Sequence, residues 1–93
     1  MTYEVKIEEL RKEINRLNAE IVEKLAERVK VAQEIGRLKI VFGRPIVDRD
    51  REKRVYEQVR ELACLYHLCP KGVEQVFREI IRLCTEAEFK SNK

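Results

Sequence analysis

The chain has 93 residues, 40% of them charged, and its 20 Lys and Arg against 17 Asp and Glu leave a net charge of +3. This is the length of one domain, and a charge so nearly balanced lacks the strongly basic face of a nucleic-acid binder. Glu4, Lys6, Glu8 and Glu9 interrupt any secretory leader, no stretch approaches a membrane span, and Cys64, Cys69 and Cys84 form no CxxC pair, so they read as reduced thiols of a cytoplasmic protein.

The first element is the longest. Leu10, Ile14, Leu17, Ile21, Leu25, Val29, Ala32 and Ile35 recur at steps of three and four, without proline and with no glycine before Gly36. This spacing predicts one helix over about residues 5–40, its end lying between Gly36 and Phe42. Such a rod is about 52 Å long at 1.5 Å per residue, whereas a compact domain of this size spans on the order of 30 Å. Another chain must cover much of its stripe, and an obligate homodimer is expected. Arg11, Arg28 and Lys39 join the apolar ladder. A cation facing a core is costly unless an anion meets it, so the seam implies a buried anion from the protein or from a ligand.

Arg28 and Lys39 lie three turns apart, point the same way within ~20° and are ~16 Å apart along the axis, so both can lean into one pocket. Arg11 lies roughly 25 Å from Arg28 on the same rod. Antiparallel pairing of two copies would bring Arg11 of one beside Arg28 of the other, giving two symmetric cationic sites built from both chains. The alternative is that these cations make interchain salt bridges to Glu13, Glu20 or Glu27.

Gly43-Arg44-Pro45 predicts a turn, followed by a short apolar anchor at Ile46 and Val47. Asp48 or Asp50 is placed to cap a second helix over about residues 49–67, with Arg51 and Glu52 in its first turn and Val55, Val59, Leu62 and Leu65 or Tyr66 on its inner face. The dense sign alternation from Asp48 to Arg54 reads, for most of these residues, as a capped and solvated helix start. Cys69-Pro70-Lys71-Gly72 breaks the pattern and opens a third helix over about residues 70–89, with Val73, Val76, Phe77, Ile80, Ile81 and Cys84 inward. Glu88 extends that apolar face by one step of four. A carboxylate there is held neutral, paired with a cation, or solvated in a frayed last turn. His67 reads as a surface residue at a helix end, and the cysteines as core fillers. With no strand signal, repeat or linker, the fold is all-α, with three helices and a very long first one.

No residue set has the form of a metal site, a phosphate loop or a covalent-catalysis group, so no metal or cofactor is expected. Arginines, a lysine and a carboxylic acid work by binding, orientation and electrostatics. The pattern Leu10-Arg11, Ile14, Leu17, Leu25-Ala26-Glu27-Arg28, Lys39, Gly43-Arg44-Pro45-Ile46, Asp48 and Arg51-Glu52 resembles the all-helical chorismate mutases, from about Ile7 to Glu88. That resemblance implies an intertwined homodimer and a Claisen rearrangement of chorismate to prephenate in aromatic amino-acid biosynthesis. It implies that Arg28 and the partner's Arg11 grip the two carboxylates, that Lys39 donates to the ether oxygen, and that Glu52 accepts from the ring hydroxyl. Asp48 would help through its backbone, and Arg51 would add positive potential. Two positions depart from the pattern: Cys84 stands where many members have Ser, and Glu88 where bacterial members commonly have Gln and some fungal members Glu. Glu88 is expected to act protonated, so that activity falls with rising pH. Alternatively, it pairs with Lys39 in ionised form.

Two other readings stand beside this one. An isochorismate-pyruvate lyase shares the fold and the cationic pocket. A non-catalytic helical dimerisation module would satisfy Arg11, Arg28 and Lys39 with protein carboxylates. Docking to another shikimate-pathway enzyme also stays open, since a chain this small has no spare domain for an effector.

Overall fold

A computed structural model describes residues 2–91 and contains three helices: α1 (Tyr3–Val41), α2 (Arg49–Leu65) and α3 (Pro70–Lys90). The molecule is elongated, 62 Å in its longest dimension with a radius of gyration of 17.3 Å, against roughly 12 Å for a compact domain of this length. α1 alone accounts for the excess.

Local chemistry sets each boundary. Thr2 caps α1, its hydroxyl accepting from Val5 N at 3.3 Å, and ion pairs such as Arg16–Glu20 at 2.9 Å run along the exposed surface. At the other end Gly43 takes φ 64°, and two reversed bonds close the helix, Gly43 N to Ile40 O at 3.2 Å and Arg44 N to Lys39 O at 2.7 Å. α1 thus runs through Gly36 and ends beyond it. A mid-helix glycine costs about 1 kcal/mol relative to alanine, and here it permits a close approach: Gly36 is buried against the last turn of α3.

Asp48 caps α2, its carboxylate accepting from Arg51 N at 3.0 Å. The helix stops at Leu65, two residues before the expected end, because His67 takes φ 59°. There His67 N bonds Cys64 O at 3.2 Å and Leu68 N bonds Ala63 O at 2.8 Å, the same closure as at Gly43 but with a histidine in the left-handed position. Pro70 opens α3, where its missing N–H costs nothing.

α3 packs on both α1 and α2. The buried apolar residues are Ala32, Val55, Val59, Ala63 and Cys84, all small or medium in size. Ala32 and Gly36, one turn apart on α1, share the α1–α3 contact with Cys84 and Glu88, one turn apart on α3. A polar clasp joins the far edge of α2 to α3. Glu74 accepts from Arg60 and, at 2.7 Å, from Arg78, whose guanidinium lies 4.4 Å over the Tyr56 ring. The hydrogen bonds from Arg78 and then Arg60 hold the Glu74 carboxyl below the usual carboxylate range. The N-terminal half of α1 has no such cover. From Thr2 to Lys24 no residue is buried, and Leu10, Ile14, Leu17 and Ile21 are 54%, 55%, 42% and 57% exposed.

Candidate functional site

The three helices and the 42–48 loop line a half-open cavity of about 370 Å³. α1 contributes Arg28, Val31, Ala32, Ile35 and Lys39, and the loop contributes Ile46 and Asp48. α2 adds Arg51, Glu52 and Val55, while α3 adds Ile81, Cys84, Thr85 and Glu88. The cavity therefore gathers Arg28, Lys39, Asp48, Arg51, Glu52, Cys84 and Glu88 within one chain. Arg11 is elsewhere. It lies on the uncovered half of α1, pairs with Glu8 at 3.3 Å and is about two-thirds exposed.

Lys39 is the most constrained cation. Its carbonyl accepts from Arg44 N, and its Nζ donates to Ile46 O at 2.7 Å and to Glu88 Oε1 at 2.8 Å. One residue thereby anchors the loop at Arg44 and Ile46 and bridges it to α3. The Lys39–Glu88 pair is mostly covered, with side-chain exposures of 22% and 12%. In such surroundings a charge-assisted bond is stronger than on an open surface.

Arg28 is placed differently. Its Nη1 donates to Cys84 Sγ at 3.0 Å, and it makes no ion pair among the described residues. Sulfur is a weak acceptor, and a guanidinium has five donors, so Arg28 presents largely unspent charge and hydrogen-bonding capacity to the cavity. Arg51 likewise has no ion pair among the described residues. Its backbone is fixed by the Asp48 cap, which sets the first turn of α2 against the cavity. Glu52 lies one position on, 18% exposed, with Arg49 Nη1 3.1 Å from its Oε1.

Apolar walls, two cations without anionic partners and a bridged Lys–Glu pair suit a small anionic ligand held by direct hydrogen bonds. Several contributors carry no sequence signal of this kind. The Ile46 carbonyl acts through the backbone, so its residue type reveals nothing. Thr85 has a hydroxyl but sits beside the apolar ladder of α3 without extending it. Gly36 reads as a helix-ending residue until the helix crossing is known.

The family model described as chorismate mutase type II matches residues 10–89. A chorismate mutase from Methanocaldococcus jannaschii is 37% identical over 62 residues, covering 67% of this chain and 62% of that protein. The bifunctional chorismate mutase/prephenate dehydratases of Aquifex aeolicus and Escherichia coli are 34% and 35% identical over 87 and 81 residues, or 90% and 87% of this chain. The chain spans only 24% and 21% of their lengths. Among solved structures, a conserved hypothetical protein from Pyrococcus furiosus superimposes with a TM-score of 0.69 at 28% identity, covering 95% of this chain and 99% of that one.

Proposed function

The chain belongs to the chorismate mutase type II family, and on that premise we propose that it rearranges chorismate to prephenate in a pocket completed by a second copy of itself. The observation that carries this reading is Arg28, a guanidinium facing the cavity with only a thiol as partner. A substrate carboxylate supplies the anion it lacks, in bidentate geometry.

The reaction needs no covalent intermediate. The ether C–O bond breaks as a C–C bond forms within one molecule, and negative charge grows on the ether oxygen. Arg28 and Arg11 of the partner subunit hold the two carboxylates, which restricts a flexible substrate to its reactive chair-like form. Lys39 donates to the ether oxygen as its charge develops, a bond stronger in the transition state than in the ground state. Glu52 accepts from the ring hydroxyl, the Asp48 backbone assists, Arg51 adds positive potential, and Cys84 offers a weak donor to a carboxylate.

Charge balance supports both the second copy and a proton on Glu88. Arg28, Lys39 and Arg51 oppose Asp48, Glu52 and Glu88 around the cavity, so one chain's pocket is formally neutral. A dianion calls for two further positive charges. Arg11 of the partner subunit provides one, and protonation of Glu88 as the substrate arrives provides the other. The protonated acid then donates to the ether oxygen beside Lys39. Leu10, Ile14, Leu17 and Ile21 are the apolar surface on which the two copies pair. The same reading makes this a cytoplasmic enzyme of aromatic amino-acid biosynthesis, in keeping with its free cysteines and with the absence, among the described residues, of a helix long and apolar enough to cross a membrane. Docking to another enzyme of that pathway belongs to it as well.

The test is to incubate the purified chain with chorismate, and separately with isochorismate, and to identify the products. Prephenate from chorismate, lost on Arg28→Ala without loss of folding, is the expected result. Salicylate and pyruvate from isochorismate alone would point to the lyase. No turnover of either, with Arg28→Ala lowering stability only, would point to a dimerisation module.

A further inference from the structure

α1 contains a single glycine, and it lies where α3 comes closest. A Cβ on Gly36 would stand 2.5 Å from Ser91 Oγ and 2.8 Å from both the Cα and the carbonyl oxygen of Glu88. The two Glu88 atoms are backbone and cannot swing aside. The Ser91 hydroxyl donates to that same carbonyl at 2.5 Å, closing the last turn of α3 over the glycine. One turn further along α1, Lys39 meets the Glu88 carboxylate at 2.8 Å.

We propose that Gly36 is a positioning residue: its missing side chain sets the separation of α1 and α3 at which Glu88 reaches Lys39. An added methyl requires Glu88 to retreat by roughly 0.7 Å before carbon atoms regain their ~3.5 Å separation. Lys39 does not follow, because Ile46 O holds its Nζ from the other side at 2.7 Å. The retreat therefore opens the Lys39–Glu88 contact rather than moving the pair together. Arg28 is about two turns away on α1, so carboxylate binding is disturbed less than the groups at the ether oxygen. The kinetic consequence rests on the mutase reading; the geometric one does not.

Two measurements test the proposal. The first is a double-mutant cycle in urea unfolding, at fixed protein concentration, with Lys39→Met, Glu88→Gln and their combination, in the native and Gly36→Ala backgrounds. Coupling between the two positions is expected in the native background and should vanish with Gly36→Ala. Equal coupling in both backgrounds overturns the proposal. If Gly36→Ala does not fold, Ser91→Val presses on the same crossing from α3 and should weaken the coupling, and undiminished coupling there overturns it too. The second measurement is steady-state kinetics with chorismate. Gly36→Ala should lower kcat on the order of 10- to 100-fold, the scale of a sub-ångström misplacement, with KM within about threefold. It should add less than about twofold to the loss caused by Glu88→Ala, which leaves no group at that position to misplace. An unchanged kcat, or a full additional loss on top of Glu88→Ala, contradicts a role through Glu88. Should the native chain turn over no chorismate, the mutase reading fails while the unfolding cycle still decides the role of Gly36.

Discussion

Glu88→Gln should move stability and activity in opposite directions. In the structure Glu88 Oε1 accepts a charge-assisted hydrogen bond from Lys39 Nζ at 2.8 Å, with both side chains mostly covered. Such a bond contributes about 1.5–3 kcal/mol, against about 1 kcal/mol for a neutral one. The amide keeps an acceptor for Lys39 but loses the opposite charge, and partial exposure discounts the difference, leaving a loss on the order of 1 kcal/mol. For a domain of this size that corresponds to a melting temperature lower by roughly 4–8 °C. In catalysis the sign reverses at alkaline pH. An ionised carboxylate about 5 Å from one negative charge of the substrate, at an effective dielectric near 20, costs about 3 kcal/mol, or on the order of 100-fold in rate. The amide removes that repulsion and can donate to the ether oxygen at any pH. The assays are thermal melts and kcat/KM for chorismate at one mildly alkaline pH, both at fixed protein concentration. The variant should melt lower yet turn over chorismate with the higher kcat/KM. A variant that loses activity along with stability would refute the reasoning.

Two further outcomes follow from other parts of the fold. Leu17→Asp with Ile21→Asp puts charges on the uncovered apolar face of α1, where each such side chain contributes about 1.5–3 kcal/mol when fully buried. Analytical ultracentrifugation should show the native chain as a dimer and the double variant as a monomer with its activity lost; a native monomer with full activity would contradict the pairing. Glu74 has a carboxyl held below its unfolded range by Arg78 and Arg60, so its contribution to stability is present above an unfolded value of about 4.3 and is lost as pH falls through the lower folded value. Glu74→Gln should thus weaken the α2–α3 clasp at neutral pH and flatten the acid limb of the stability curve, read by urea unfolding between neutral and acid pH. An acid limb as steep as the native one would show that Glu74 is not its source.

Much of the fold was legible because one physical rule dominates it. Apolar steps of three and four continue from Leu10 to Ile35 without a breaker, and nothing competes with helix there. The ends were less legible. Gly36 has the residue type of a helix stop, yet its neighbour across the crossing is the backbone of Glu88, and only the packed structure reveals that. His67 shows the reverse: the left-handed position that ends α2 holds a histidine, so no glycine announces it. In the site, the charged residues stood out because Arg28, Lys39 and Glu88 sit on apolar faces, where charge is costly without a purpose. The 42–48 loop came through as a turn, but the Ile46 carbonyl that receives Lys39 did not, since a backbone acceptor is the same in every residue. Arg11 is exposed on the bare half of α1 and does not line the cavity of its own chain, so the role proposed for it depends on a second copy.

The proposed sharing of the pocket between two chains is tested most directly by mixing two inactive variants, Arg11→Ala and Arg28→Ala, under conditions in which subunits exchange. A heterodimer has one pocket with both arginines intact and one with neither. Random exchange of equal amounts should therefore restore about a quarter of the native number of sites, and a matching share of prephenate formation. No recovery, with exchange confirmed by mass-labelled subunits, would contradict a site built from two chains.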